Sequence, residues 1–206
     1  MRLPIRPLPS TLPKLLLRPL LRLYSTTPST PLITITDIPA PSTGRIRILS
    51  LARPSARNAI SRALLQELRS NIDSIAAEYD AEGNEVPRKA SHGGAAGSDG
   101  RGPTRALILA SEVEGCFCAG ADLKERRGFT AEETQAFLLN LRTTFTALSL
   151  LPIPTISAIS SLALGGGLEL ALCTHFRVLA STATVGLPET RLGIIPGAAA
   201  PIACRR

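Results

Sequence analysis

Two segments near the start of the patterned region alternate apolar and polar residues: Leu32-Ile33-Thr34-Ile35-Thr36, then Gly44-Arg45-Ile46-Arg47-Ile48-Leu49-Ser50-Leu51. A period of two lays one apolar face along an extended chain, so the pair predicts a β-hairpin. Residues 52–58 form a polar loop opened by Arg53-Pro54, after which the period lengthens. Leu64, Leu65, Leu68, Ile72 and Ile75 recur at three- and four-residue spacing behind Ser61, whose hydroxyl suits a helix N-cap; this predicts an amphipathic helix ending near Tyr79. From Asp80 to Thr104 the apolar pattern disappears and Gly83, Gly93, Gly94, Gly97, Gly100 and Gly102 dominate, which predicts a surface loop inserted in a domain over 80–104. Arg105-Ala106-Leu107-Ile108-Leu109-Ala110 then predicts a buried strand.

Residues 143–168 carry no charge, long enough to raise a membrane-spanning helix. The internal pattern rejects it: Pro152 and Pro154 break the run, Thr155-Ile156-Ser157-Ala158-Ile159 is strand-like, and Gly165-Gly166-Gly167 is unfavourable inside a lone helix. The prediction is a helix over 131–151, a strand over 155–159, a helix over 166–173 and a strand over 176–180. Strands alternating with helices imply an α/β domain with largely parallel pairing.

Composition adds less than charge does. The 206 residues, 44% of them hydrophobic, suffice for one domain with a sizeable core. The net charge of +7 invites a nucleic-acid reading, but Arg2, Arg6, Lys14, Arg18 and Arg22 precede the first acid, Asp37, so five of the seven excess charges belong to the leader. Residues 1–31 thus read as a mitochondrial transit peptide or a disordered basic leader, Pro13 and Pro19 interrupting the leucines that a secretory signal would keep unbroken. Cys116, Cys118, Cys173 and Cys204 lack metal-site spacing and read as small buried hydrophobes, with no metal expected.

Three segments carry candidate chemistry. Leu164-Gly165-Gly166-Gly167-Leu168-Glu169 puts glycines at a strand-to-helix turn and a carboxylate in the first helical turn, where outward N–H groups suit a developing anion. Cys118-Ala119-Gly120-Ala121-Asp122 is a second small-residue turn; two such turns can aim two N–H groups at one oxygen. Gly186-Leu187-Pro188-Glu189 supplies a second carboxylate, and two glutamates in an apolar setting suit acid/base work.

These runs, Phe117–Arg126, Ala163–Ala171 and Gly186–Gly197, resemble in wording and order the enoyl-CoA hydratase/isomerase (crotonase) superfamily, and the wording Cys-Ala-Gly-Ala-Asp-Leu-Lys-Glu-Arg is most similar to its mitochondrial methylglutaconyl-CoA hydratases. The resemblance implies an α/β fold with a spiral core of ββα repeats over 32–197. It implies hydration of an α,β-unsaturated acyl-CoA thioester, 3-methylglutaconyl-CoA of leucine catabolism or a fatty-acid β-oxidation intermediate, in the mitochondrial matrix. No cofactor is implied beyond the CoA of the substrate, and full-length relatives imply a homotrimer or a dimer of trimers. By position, Ala121 and Gly166 are the oxyanion-hole donors and Glu169 and Glu189 the catalytic pair. Arg57, Asn58, Ala119, Gly120, Asp122, Leu123 and Gly165 are expected to contact substrate or CoA.

Three departures accompany the resemblance. Ser161 stands where Gly is usual, and His175 where Asp is common, a histidine expected to be structural. In place of Gly-Gly-Thr-x-Arg-Leu-Pro and the C-terminal helices of relatives, the chain reads Ala198-Ala199-Ala200-Pro201-Ile202-Ala203-Cys204-Arg205-Arg206. Codons for residues 199–205 can encode Gly-Thr-x-Arg-Leu-Pro one nucleotide out of phase, so 198–206 is expected to be an aberrant tail from a shifted frame or mis-joined exon. A non-catalytic or RNA-binding homologue, using Lys124, Arg126 and Arg127, and an inactive truncated product are the alternatives; the small net charge outside the leader disfavours RNA.

Overall fold

The two alternating segments pair as antiparallel strands, β1 (Ile33–Pro39) and β2 (Arg45–Leu51), with Ile33 opposite Leu51 and Pro39 opposite Arg45. The computed structural model describes residues 30–86 and 102–193. From Pro31 onward they belong to one structural unit. The expected leader (apart from its last two residues), the centre of the expected inserted loop, Cys204 and the expected aberrant tail lie outside the described residues.

Beyond β2 every strand pairing is parallel. β3 (Thr104–Ser111), β5 (Thr155–Ile159) and β7 (Phe176–Leu179) extend the sheet in the order β1-β2-β3-β5-β7. Three short strands, β4 (Cys116–Cys118), β6 (Leu162–Leu164) and β8 (Val185–Gly186), make a second parallel sheet in that order. The chain therefore alternates between sheets, β3 to β4, β5 to β6 and β7 to β8. Helices α3 (Ala131–Ser149) and α4 (Gly166–Leu172) follow the first two pairs, the crossovers that parallel strands require. This repeated ββα unit is the spiral α/β fold expected from the sequence.

The helices form where local chemistry permits. Ser61 accepts the N–H of Leu64 to cap α1 (Arg62–Ala76), whose buried face is the expected Leu64, Leu65, Leu68, Ile72 and Ile75. Thr130 and Glu133 form a reciprocal capping box at the start of α3. Phe137, Leu141, Phe145 and Leu148 of α3 face inward, and with α1 and with Leu49, Leu51, Leu107 and Leu109 of the large sheet they form the core.

Periodicity missed three things. Strands β4, β6 and β8 are too short to show alternation and exist because they pair with one another. The first helix ends at Ala76 rather than near Tyr79, because the next residues leave it for a buried polar knot. There Arg45, 2% exposed, has Nη2 2.5 Å from Glu78 Oε1 and Nε 3.4 Å from Asp37 Oδ2, while Glu78 Oε2 accepts the N–H of Thr104. Finally, the expected loop is shorter at both ends. Residues 80–86 form a turn in which Asp80 accepts the N–H groups of Glu82 and Asn84, and Thr104 is already in β3.

Removing one anionic partner of a buried guanidinium is among the costlier single changes. Glu78→Ala is expected to lower unfolding free energy by about 3 kcal/mol or more in urea titration. Truncating the exposed Leu139 to Ala should change it by less than about 0.5 kcal/mol.

Candidate functional site

The C-terminal ends of β4, β6 and β8 each run into a turn, and the three turns meet. In parallel sheets this is the edge at which ligands bind. After β4 comes Ala119-Gly120-Ala121, after β6 comes Gly165-Gly166, and after β8 comes the segment bearing Glu189. Gly165 donates its N–H to Gly186 O at 2.9 Å, which ties the second turn to the third.

The first two turns are in contact. A Cβ on Gly120 would lie 2.9 Å from Leu164 O and 3.3 Å from Gly166 N. Ile60 pairs with Ala121 by donating to Gly120 O at 2.7 Å and accepting from Asp122 N–H at 3.1 Å. In such a bridge the flanking residue's own N–H points away from its partner, so Ala121 N–H points away from Ile60. Gly166 lies on that other side, where a Cβ on it would be 3.7 Å from Ala121 N. As the first residue of α4, Gly166 also presents an N–H that no helical carbonyl can accept. The backbones of Ala121 and Gly166 are thus close neighbours where the two turns meet.

The expected carboxylates lie on α4, which the second turn opens, and on the third turn. Glu169, 2% exposed, is in the first turn of α4, where the positive end of the helix favours negative charge. Glu189 presses on the second turn from the other side. A Cβ on Gly165 would sit 2.5 Å from Glu189 Oε1, and Gly165 has φ +51°, so only glycine fits. Glu189 Oε2 is buried and has no hydrogen-bond partner among the described residues. A buried carboxylate oxygen left unpaired costs stability, and such outliers concentrate where a site acts on something.

The third glycine serves packing. A Cβ on Gly167 would lie 2.3 Å from Cys118 O, so its absence lets α4 lie against β4. Burial pushes the thiols of Cys118 and Cys173 up to about 12, with the Glu169 charge adding to the effect at Cys173. These are inert packing groups, as the sequence suggested, and no cluster of His, Cys, Asp and Glu among the described residues could hold a metal.

The loop before Ile60 behaves differently from expectation. Asn58 was expected against CoA, yet its side chain is buried and turned inward, donating to Ser111 Oγ at 2.8 Å and Phe117 O at 2.9 Å and accepting Arg53 N–H at 2.8 Å. It holds the loop; Arg57, exposed beside it, is the side chain that can reach a ligand. Both have positive φ, 49° and 55°, a conformation costly for a non-glycine residue. The cost is offset by neighbours: Ala119 N–H and the Cys116 thiol both donate to Arg57 O, and the Cys118 thiol donates to Asn58 O.

Asp122 is likewise structural. Its Oδ1 accepts the N–H groups of Lys124 and Glu125, capping α2 (Leu123–Arg126), and its Oδ2 lies 2.8 Å from Arg53 Nη1. Burial works to raise its pKa, but the N–H of Glu125 and the Arg53 guanidinium outweigh this and hold it below the ordinary carboxylate value. Leu123 is largely exposed. Arg53 was not singled out by the sequence, because its partner Asp122 lies far along the chain. His175 stands apart from the site, its Nδ1 accepting Thr155 N–H at 3.2 Å.

The sequence profile of the enoyl-CoA hydratase/isomerase family matches residues 99–206. The chain is 69% identical over 175 residues to a methylglutaconyl-CoA hydratase 1, mitochondrial, of Pyricularia oryzae, covering 83% of this chain and 50% of that protein. It is 40% identical over 152 residues to the methylglutaconyl-CoA hydratase, mitochondrial, of Mus musculus, covering 74% and 41%. The chain spans about half the length of the curated relatives it matches. Among solved structures, an enoyl-CoA hydratase of Bacillus anthracis superposes with a TM-score of 0.66 at 36% identity, over 85% of this chain and 58% of that one.

The three glycines should separate by substitution. Gly167→Ala is expected to lower the urea midpoint strongly, since backbone must move, whereas Gly166→Ala, whose Cβ meets nothing closer than Ile60 Cδ1 at 3.5 Å, should leave it nearly unchanged.

Proposed function

The chain belongs to the enoyl-CoA hydratase/isomerase family, and on that premise we propose that it adds water across the double bond of an α,β-unsaturated acyl-CoA thioester. The observation that carries the proposal is the contact of the turns bearing Ala121 and Gly166 beside a buried carboxylate oxygen, Glu189 Oε2, that has no partner among the described residues. The names of the relatives support 3-methylglutaconyl-CoA as the substrate and the mitochondrion as the location.

In this reading the thioester oxygen accepts hydrogen bonds from Ala121 N–H and Gly166 N–H. Water attacks the β-carbon as one glutamate takes its proton, and the π electrons move through the α-carbon onto the thioester oxygen. The enolate is stabilised by the two N–H groups because they are already aimed at the oxygen before charge develops there. The second glutamate then gives a proton to the α-carbon, and the C=O bond re-forms. The first glutamate is left protonated and the second deprotonated; a proton passing from the first to the second through solvent resets the pair, so the net change is the addition of one water and no redox partner is needed. In this reading Arg57, exposed on the loop that Asn58 braces, meets the CoA portion.

Glu169→Gln and Glu189→Gln are each expected to lower kcat for hydration by about 10²- to 10⁴-fold, the usual worth of a positioned acid or base, with little change in CoA-ester binding. Gly166→Ala should lower kcat by about 10²- to 10³-fold, because a methyl group takes the oxygen's place. A Glu189→Gln chain with undiminished hydration would refute the two-carboxylate mechanism.

We also infer mitochondrial import from the acid-free basic segment 1–36, since the membrane potential draws positive charge inward. A reporter fused behind residues 1–36 should enter mitochondria, and Arg18→Glu with Arg22→Glu should keep it in the cytosol. Cytosolic retention of the unsubstituted fusion would contradict the inference.

A further inference from the structure

Ala121 N–H can serve an oxygen only if its direction is fixed, and that direction is set by one isolated bridge to Ile60 rather than by a long strand. A single bridge is weak in itself. Its reinforcement comes from outside the bridge, and it converges on one nitrogen atom.

Arg53 Nη1 donates to Ala59 O at 2.7 Å and lies 2.8 Å from Asp122 Oδ2. Ala59 immediately precedes Ile60, and Asp122 immediately follows Ala121. One cationic N–H donor group therefore spans both sides of the bridge, next to each of its two residues. The base of the Arg53 side chain is itself held, because Arg53 N–H donates to Asn58 Oδ1, and Asn58 is anchored to Ser111 and to Phe117 O. At the far end the carboxylate cannot swing, because Asp122 Oδ1 is occupied by the N–H groups of Lys124 and Glu125 at 3.1 Å each. The Asp122 side chain is 9% exposed and that of Arg53 22% exposed, so water competes poorly for the pair.

We propose that Arg53 is a positioning residue for the reaction: by clamping Ala59 and Asp122 it holds Ala121 N–H on the line to the thioester oxygen. This rests on the reading of Ala121 and Gly166 as the oxygen's donors. Arg53 touches no reacting atom in that arrangement. Its effect passes through Asp122 and the Ile60 bridge, and a displacement of the donor of about 1 Å is enough to cost on the order of 10²-fold in rate. The two ends of the clamp can be cut separately. Asp122→Asn keeps a side-chain oxygen to cap α2 but removes the charge that Arg53 binds, while Arg53→Met keeps the stem of the side chain and removes the donor. Arg53→Lys retains a cation that can reach one of the two acceptors.

The test uses the thioester carbonyl as its own reporter. Butanoyl-CoA, which has no double bond to hydrate, is bound to the chain and its C=O stretch is read by isotope-edited infrared difference spectroscopy; kcat and KM for enoyl-CoA hydration are measured alongside. The unsubstituted chain is expected to lower the bound C=O frequency. Arg53→Met and Asp122→Asn are expected to lose at least half of that shift and to lower kcat about 10- to 100-fold with KM changed less than about threefold, with Arg53→Lys in between. A merely structural role would move the urea midpoint and leave the carbonyl frequency of the bound ester alone. If the unsubstituted chain shifts the carbonyl and both variants retain the full shift and kcat, the clamp is overturned while the hydration reading stands. If the unsubstituted chain does not shift the carbonyl, the donors themselves are misassigned and the clamp falls with them. Should Arg53→Met fail to fold, Asp122→Asn, whose helix cap is intact, gives the decision.

Discussion

Everything at the site depends on how closely two backbone turns can approach. The turn after β4 and the turn at the start of α4 are near enough that a methyl group on Gly120 would strike the Leu164 carbonyl, and one on Gly167 would strike the Cys118 carbonyl. Removing side chains from these positions lets the two turns touch, and contact brings the backbone of Gly166 beside that of Ala121. The same approach leaves a slot over Gly165 that the Glu189 carboxylate fills. Close packing and candidate chemistry are one arrangement here, because the glycines that permit the first also expose the backbone groups used by the second.

Holding that arrangement costs stability locally, and the surrounding structure offsets it. Arg57 and Asn58 occupy the left-handed region in succession, and Glu189 Oε2 is buried without a partner among the described residues. Around the strained pair are the thiols of Cys116 and Cys118, the Ala119 N–H and the inward-facing amide of Asn58, each bonded within the loop or to β4. Among the described residues no comparable brace is built around Glu189 Oε2, so the loop is braced while one carboxylate oxygen is left without a described partner.

Much of this was legible in the chain's periodicity and much was not, for physical reasons. Helices α1 and α3 and strands β2, β3, β5 and β7 are long enough for their apolar spacing to register. Strands β4, β6 and β8 have two or three residues each and arise only when their partners arrive, so no local pattern could announce them. The turns that carry Ala121, Gly165–Gly166 and Glu189 meet at one edge of the small sheet. An exposed-looking polar loop gives no sign that the Asn58 amide turns inward to Phe117 O. Arg53 was passed over because its partner Asp122 comes from a distant part of the chain, and choosing between acceptors is a tertiary decision.

The central claim is that a thioester oxygen sits between Ala121 N–H and Gly166 N–H with the two glutamates facing the adjacent carbons. A crystal structure of the chain with a bound acyl-CoA tests this most directly. The account predicts the thioester oxygen about 2.7–3.1 Å from both backbone nitrogens, and Glu169 and Glu189 on the side of its α- and β-carbons. A thioester lodged elsewhere, or one whose oxygen meets neither nitrogen, would contradict it.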